Sequence, residues 1–283
     1  MARIRKDVTD AGKYKQIKFY PVYENSGKRI PDAPKKTQKT KEQMDKENAK
    51  RSLQQAILII NENFDENDFI ISMENKPEFA PKDYEGLNAE WSAFIKRVKR
   101  KMIKKGLNSS LLKYFVFPHC EYYKSGAKKG MPHFHIHGYF SAPGMTSDEI
   151  MELWKYGTKG RVEKFKPYMY SPEAFAIYAS NKSVGKQKYW KSNNCVKTIT
   201  KEEPNVTINR DKLRDLAENR CDDKRYWEQQ VPGYEFIEMD ALYNNYNGHY
   251  YVTVVMYKKS DKKSFYEQSK KNAKPNLTYA YIH

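Results

Sequence analysis

Three histidines alternate with apolar residues in one short stretch of the chain. The stretch reads MPHFHIHGYF and holds His133, His135 and His137, which are half of the six histidines present. Side chains alternate between the two faces of a β-strand, so the three imidazoles project from one face while Phe134 and Ile136 project from the other. Neutral imidazole is a common ligand of divalent transition ions, and the pattern therefore predicts a metal site on the surface of a sheet.

A carboxylate that can complete this site lies in the preceding predicted strand. Glu121 is near the end of that strand, and a Gly- and Lys-rich loop over residues 124–130 turns the chain back. Antiparallel pairing of the two strands would bring Glu121 close to His133 or His135. His119 has the same parity as Glu121, and we expect it to act as a hydrogen-bonding support for the ligands.

Apolar periodicity and turn residues give the order of elements around the histidines. They predict strands over residues 68–73, 111–122, 131–140 and 160–167, and helices over residues 88–105, 146–156 and 171–182. Thr146, with Glu149 three residues later, forms a capping box at the start of the helix over residues 146–156. This order is that of a split βαβ arrangement. We therefore expect an α+β fold of the RRM or ferredoxin-like kind, with an antiparallel central sheet and helices packed on one face.

The chain is long enough for a catalytic domain with extensions. We expect a basic N-terminal arm and helix over residues 1–65, a catalytic domain over residues 66–195, and a C-terminal extension of open role over residues 196–283. Within the extension, the pattern predicts a helix over residues 211–229 and a strand over residues 250–257.

The charge balance favours a polyanionic partner. The chain has 52 Lys and Arg against 35 Asp and Glu, a formal charge of +17, which favours nucleic acid because phosphate contacts release condensed counterions. The predicted helix over residues 88–105 concentrates basic residues and is a candidate for phosphate contacts. Tyr122, Tyr123 and Trp190 are candidates to stack on bases. No stretch approaches the roughly 20 apolar residues of a membrane span. Three widely spaced cysteines without a C-x-x-C pair argue against a disulfide framework or a zinc finger, and favour a reducing cytoplasm.

A second candidate for chemistry lies on the last predicted helix of the catalytic region. Tyr178 and Lys182, in EAFAIYASNKS, are four residues apart and so share one helical face. A phenol ionises near pH 10, so it attacks poorly unless a cation or a base assists it. Lys182 can supply that positive charge or hold a phosphate. Alone, a Tyr–Lys pair is weak evidence in a chain with 23 tyrosines.

Together these motifs resemble the HUH endonuclease superfamily, and specifically the rolling-circle replication initiators of small phages and plasmids. DFIISM resembles the family's first motif strand, His133-Phe134-His135 its His-hydrophobe-His motif, and Tyr178 to Lys182 its tyrosine motif. The resemblance covers about residues 68–185. His137 departs from the pattern as an extra histidine, so His133 with His135, or His135 with His137, can form the ligand pair. The resemblance favours the first pair, with Glu121 as third ligand.

The resemblance implies a mechanism and partners. Mg or Mn would polarise the scissile phosphate of single-stranded DNA at a replication origin, and Tyr178 would attack the phosphorus. A 5′-phosphotyrosine bond would form, a 3′-hydroxyl would be freed, and reversal would rejoin the strands. The sequence has no P-loop, so a host helicase would unwind the duplex and a host polymerase would extend the 3′ end, in the cytoplasm of a bacterium.

Three other readings remain open. A relaxase or a single-strand transposase would keep the superfamily and change the biology. A non-enzymatic nucleic-acid-binding protein with a structural zinc site would need neither Tyr178 nor strand cleavage. A histidine-ligated metal hydrolase acting through activated water would cleave without forming a covalent adduct.

Overall fold

The computed structural model describes residues 2–23, 40–125, 129–155, 157, 160–166, 172–181, 183–185, 187–203, 206–245 and 247–259. The strands in these ranges are β1 (Ala2–Ala11), β2 (Tyr14–Tyr23), β3 (Phe69–Glu74), β4 (Lys113–Tyr122), β5 (Pro132–Ser141), β6 (Arg161–Lys164), β7 (Trp190–Lys191), β8 (Thr200–Glu203), β9 (Tyr234–Asn244) and β10 (His249–Lys258). The α-helices are α1 (Lys41–Asn63), α2 (Tyr84–Lys104), α3 (Ser147–Glu152), α4 (Pro172–Asn181), α5 (Arg210–Asn219) and α6 (Lys224–Gln230).

The strands form two antiparallel sheets, which confirms the predicted α+β class. The chain divides into two compact units, one of residues 1–49 and 197–283 and the other of residues 50–196. Among the described helices, none combines the length and the apolarity that crossing a membrane requires.

The first unit is built from both ends of the chain. Its sheet has the strand order β8-β1-β2-β10-β9. Residues 2–23 therefore form a paired hairpin, turned at Gly12 with a φ of 57°, and not the predicted basic arm. The arm was predicted from the lysines that crowd the Pro-containing stretch over residues 31–34. The strand pattern of β1 is hard to recognise, because charged residues separate Ile4 from Val8. The predicted N-terminal and C-terminal extensions thus share one sheet.

Helices α5 and α6 supply the apolar partners of this sheet. Val8, Ile17 and Phe19 share a core with Leu216 and Trp227. The sequence predicted one helix over residues 211–229, and the structure has two, because the side chain of Asp223 accepts a hydrogen bond from the amide of Tyr226 and starts a new helix. The predicted strand over residues 250–257 is confirmed as β10.

The second unit has a sheet with the strand order β6-β3-β5-β4-β7. Every neighbouring pair is antiparallel. Strands β3 and β4, which α2 joins in sequence, are not neighbours, because β5 lies between them. The predicted strands and helices of this region all form, with shifted ends. Helix α2, for example, starts at Tyr84, because the side chain of Asp83 caps the amide of Gly86 at 2.7 Å.

Helices cover both faces of this second sheet, which corrects the expectation of helices on one face. On one face, Trp91, Phe94 and Val98 of α2 pack with Ile136 and Phe140 of β5. On the opposite face, α1 and α4 cover other residues of the same strands, with a core of Ala56, Ile60, Phe115, Phe117, Tyr139, Ala176 and Ala179. Strands β4 and β5 carry large apolar residues at both parities, so each face needs its own cover.

Candidate metal centre and nucleophile

The hairpin of β4 and β5 sets the positions of the histidines. In its register, His119 lies opposite His135 and Glu121 lies opposite His133. His137 faces Phe117 in the same ladder. All of these side chains have the parity of the α4-covered face, while Ile136 packs in the core of the other face. The predicted alternation and the predicted proximity of Glu121 to His133 are therefore both present.

Three histidines converge into one cluster. The ligand atoms of His119, His135 and His137 all lie within 4.8 Å of one another. Ring centroids are 5.3 Å apart for His119 and His135, 4.8 Å for His119 and His137, and 4.9 Å for His135 and His137. His119 is fully buried and His135 is 4% exposed. We call these three side chains the histidine cluster.

Hydrogen bonds to backbone carbonyls orient two rings of the cluster. Nε2 of His119 lies 2.5 Å from the carbonyl oxygen of Ala179 in α4. Nδ1 of His135 lies 3.3 Å from the carbonyl oxygen of His133. A carbonyl oxygen only accepts, so each facing nitrogen carries the proton. Nδ1 of His119 and Nε2 of His135 are then the nitrogens with a lone pair, as in metal-bound histidines whose other nitrogen donates to a carbonyl.

The electrostatic setting favours neutral imidazole. Burial lowers the pKa of His135, an effect that the hydrogen bond to the His133 carbonyl opposes. A neutral ring is the form that binds a metal ion. Three imidazoles suit a divalent transition ion better than Mg, which prefers oxygen ligands. Of the two ions that the resemblance implies, Mn fits this donor set better.

The predicted ligands are only partly those that the structure gathers. His135 and His137 belong to the histidine cluster, while Glu121 and His133 lie one register step away on the same face. The ring of His133 stands 5.1 Å from that of His135, between centroids, and 4.6 Å from that of Tyr123. The role expected of His119 was support only. Its parity with Glu121 is the sequence signal that could have ranked it higher, whereas its place opposite His135 comes from the strand register.

A further carboxylate, which sequence reasoning missed, comes from the neighbouring strand. Glu74 of β3 lies opposite His135. Because side chains directly opposite on adjacent strands point to the same face, Glu74, His135 and His119 form a row across three strands. The negative charge of Glu74 acts on His135 in the direction that raises its pKa. The alternation of β3 would have indicated this residue had its register been known.

Tyr178 projects from α4 beside the histidine cluster. Its ring centroid lies 6.2 Å from that of His119 and 6.0 Å from that of His137. The side chain is 46% exposed, so it is open to a substrate. The next residue, Ala179, is buried and supplies the carbonyl that His119 contacts. Lys182, predicted to assist Tyr178, lies outside the described residues.

The aromatic residues considered for base stacking differ in their accessibility. Tyr122 is 66% exposed, so it can stack on a base. Tyr123 packs on the ring of His133. Trp190 is 9% exposed, lies in the apolar core, and donates its indole N–H to the hydroxyl of Tyr84 at 2.7 Å. Trp190 is thus a structural residue, which corrects the stacking role expected of it.

Neither the family models, nor the curated proteins, nor the solved structures include a match to this chain.

Proposed function

We propose that this protein is a metal-dependent enzyme that nicks single-stranded DNA with Tyr178 as nucleophile. The observation that carries the proposal is the position of Tyr178. Its side chain is half-exposed, and its ring centroid lies about 6 Å from the ring centroids of His119 and His137. A phenol beside a metal-competent cluster has both parts that phosphodiester transfer by tyrosine needs, a nucleophile and a cation site.

The topology of the second unit supports the same proposal. Numbered within the unit, β3, β4, β5 and β6 take the order 4-1-3-2 in an antiparallel sheet. We interpret this order as the split βαβ arrangement that the resemblance to HUH endonucleases implies. His135 and His137 lie on the central strand, and Tyr178 lies on a helix that follows. This matches the family's order of histidine motif before tyrosine motif.

The residues of the chain would act as follows. The histidine cluster would hold a divalent ion, and that ion would supply charge stabilisation at the scissile phosphate. The Tyr178 oxygen attacks phosphorus and loses its proton, so that an O–P bond forms and the bond from phosphorus to the 3′ oxygen breaks. The 3′ oxygen takes up a proton and leaves as a free hydroxyl. The ester is conserved, so the reverse attack rejoins the strand without ATP.

In the cell we propose the role of a replication initiator. The chain's charge of +17 suits a DNA partner. The freed 3′-hydroxyl would prime a host polymerase, and a host helicase would open the duplex. A relaxase or a single-strand transposase would use the same chemistry, and the order of the two motifs favours replication or transposition over mobilisation.

The testing experiment follows the covalent adduct. Purified protein is incubated with labelled single-stranded oligonucleotides from its own replicon and Mn, then run on a denaturing gel. We expect a protein band shifted by attached DNA, absent with EDTA and absent in Tyr178→Phe. Tyr122→Phe, which removes another exposed phenol, is the matched control and should keep the adduct.

Two other outcomes would replace the proposal. Cleavage without an adduct that persists in Tyr178→Phe would indicate a metal-activated water. Binding of oligonucleotides from the whole replicon without any cleavage, together with tight zinc, would indicate a structural metal site.

A further inference from the structure

Helix α2 carries an unusual concentration of positive charge. Residues 91–105 contain seven Lys and Arg and no Asp or Glu. The apolar side of the helix, with Trp91, Phe94 and Val98, is buried against the sheet. The opposite side is exposed, and we call its four exposed cations the cationic row: Lys96, Lys99, Arg100 and Lys104.

The cationic row has no acidic partner in the part of the chain that the structure describes. Elsewhere on α2, Arg97 donates to the carbonyl of Leu153 at 2.8 Å, and Lys105, just beyond the helix, bonds Glu149 at 2.7 Å. Among the described residues, no ion pair engages any member of the row. In the first unit, by contrast, many cations have a carboxylate within 3.5 Å, and four of them are Arg214, Arg220, Lys224 and Lys259.

The spacing of the row suits a nucleic-acid backbone. Lys96, Arg100 and Lys104 are four residues apart, which places them about 6 Å apart along the helix axis and on one side of it. The row therefore spans about 12 Å, a length that holds three to four phosphates of one strand at about 3.4 Å each. Unpaired cations at this spacing can each replace condensed counterions on the polyanion.

We propose that the cationic row of α2 binds the phosphate backbone of double-stranded DNA. Helix α2 packs on the face of the sheet that carries Ile136, while the histidine cluster lies on the opposite face. The DNA held by the row is therefore a different segment from the strand proposed to meet Tyr178. The row contacts the phosphates of the duplex and does not distinguish between base sequences.

The composition of the surface separates duplex DNA from other polyanions. Single strands are bound with aromatic side chains that stack on bases, and the aromatic residues of α2 in this region, Trp91 and Phe94, are buried. A membrane-binding helix needs a free apolar face, and here that face lies in the core. Within residues 91–104 of α2, Ile103 is the one large apolar side chain that is exposed, at 63%.

The test measures binding apart from cleavage. Tyr178→Phe protein in EDTA is titrated against a fluorescent blunt duplex, and anisotropy gives the affinity at several salt concentrations. A second protein also carries Gln at the four positions of the cationic row. The matched control carries Gln at the four ion-paired cations Arg214, Arg220, Lys224 and Lys259 and loses the same formal charge.

We expect the row variant to bind at least about tenfold more weakly, and its slope of log K against log salt to fall by about three, near 0.9 per lost phosphate contact. The control should keep most of the affinity. Equal losses in both variants, or no loss in the row variant, would overturn the proposal. Unchanged duplex binding with lost binding to a single strand or to anionic vesicles would also overturn it. Because the protein is uncleaving by design, these results do not depend on whether Tyr178 is the nucleophile.

Discussion

Nε2 of His119 lies 2.5 Å from the carbonyl oxygen of Ala179, so the strand that carries a cluster histidine is tied to the helix that carries Tyr178. The contact is reinforced next to it, where the amide of Val184 donates to the carbonyl of Pro118 at 3.0 Å. One structural link therefore sets both the proton position on a metal-competent ring and the distance of the proposed nucleophile from that ring.

Removing His119 should weaken metal binding. We expect His119→Gln to lower the affinity for Co or Mn by about 100-fold, because the substitution removes a nitrogen that can bind the metal. This is the upper end of the loss that follows removal of a group that only supports a ligand. Titration followed by the visible absorption of Co measures this. Glu121→Gln is the control and should change the affinity less than about threefold. A larger loss of metal affinity in Glu121→Gln than in His119→Gln would instead favour Glu121, His133 and His135 as the ligands, the set that the resemblance favours.

The apo protein should lose stability in mild acid through His135. Burial lowers the pKa of this ring, so the folded state binds its proton more weakly than the unfolded state. The contribution of the neutral His135 ring to the free energy of unfolding is fully present above about pH 6.5, the pKa of histidine in the unfolded chain. It is lost as the pH falls below that value. Urea unfolding in EDTA at pH 7.5 and pH 5 should therefore show a smaller pH dependence for His135→Gln than for wild type. An equal dependence in both proteins would contradict this.

Gly138 should tolerate no side chain. A Cβ at this position of β5 would lie 2.3 Å from the carbonyl oxygen of Phe115 and 2.6 Å from Cα of Val116, both backbone atoms that cannot move aside cheaply. We expect Gly138→Ala to lower the free energy of unfolding by about 2–3 kcal/mol. Because Gly138 follows His137, metal affinity should fall too. Urea unfolding and metal titration check the two effects, and wild-type values in both would show that the strands separate more easily than this packing indicates.

Tyr84 should contribute to the stability of the fold and not to DNA binding. Its hydroxyl accepts the indole N–H of Trp190, and Tyr84→Phe would leave that buried donor without its acceptor. The expected cost is about 1–3 kcal/mol in unfolding free energy. Oligonucleotide affinity measured by anisotropy should not change. A specific loss of single-strand affinity without loss of stability would return Trp190 to the stacking role.

Local pattern was enough to predict much of the second unit. The alternation in MPHFHIHGYF identified β5 and its polar face, and the capping box of Thr146 and Glu149 located α3. The end of this helix was less predictable, since α3 stops at Glu152 although the sequence pattern allowed a helix to residue 156. Such features depend on neighbours in sequence, which is why they can be read from it.

Long-range pairing could not be predicted in the same way. The inclusion of His119 depends on the register that sets it opposite His135, and the row with Glu74 depends on β3 lying beside β5. Likewise, the N-terminal hairpin joins β10 across more than 200 residues of chain. No local pattern specifies these partners, because a register shift of one residue would satisfy the same alternation with the other face.

The residue to which the DNA becomes attached shows whether Tyr178 is the nucleophile. After reaction with a cleavable single-stranded oligonucleotide and Mn, the adduct is digested with protease and nuclease, and tandem mass spectrometry identifies the modified peptide. We expect a nucleotide linked through phosphate to Tyr178 in the peptide from α4, and no modified peptide in Tyr178→Phe. A nucleotide on another tyrosine, or cleaved DNA with unmodified protein, would contradict it.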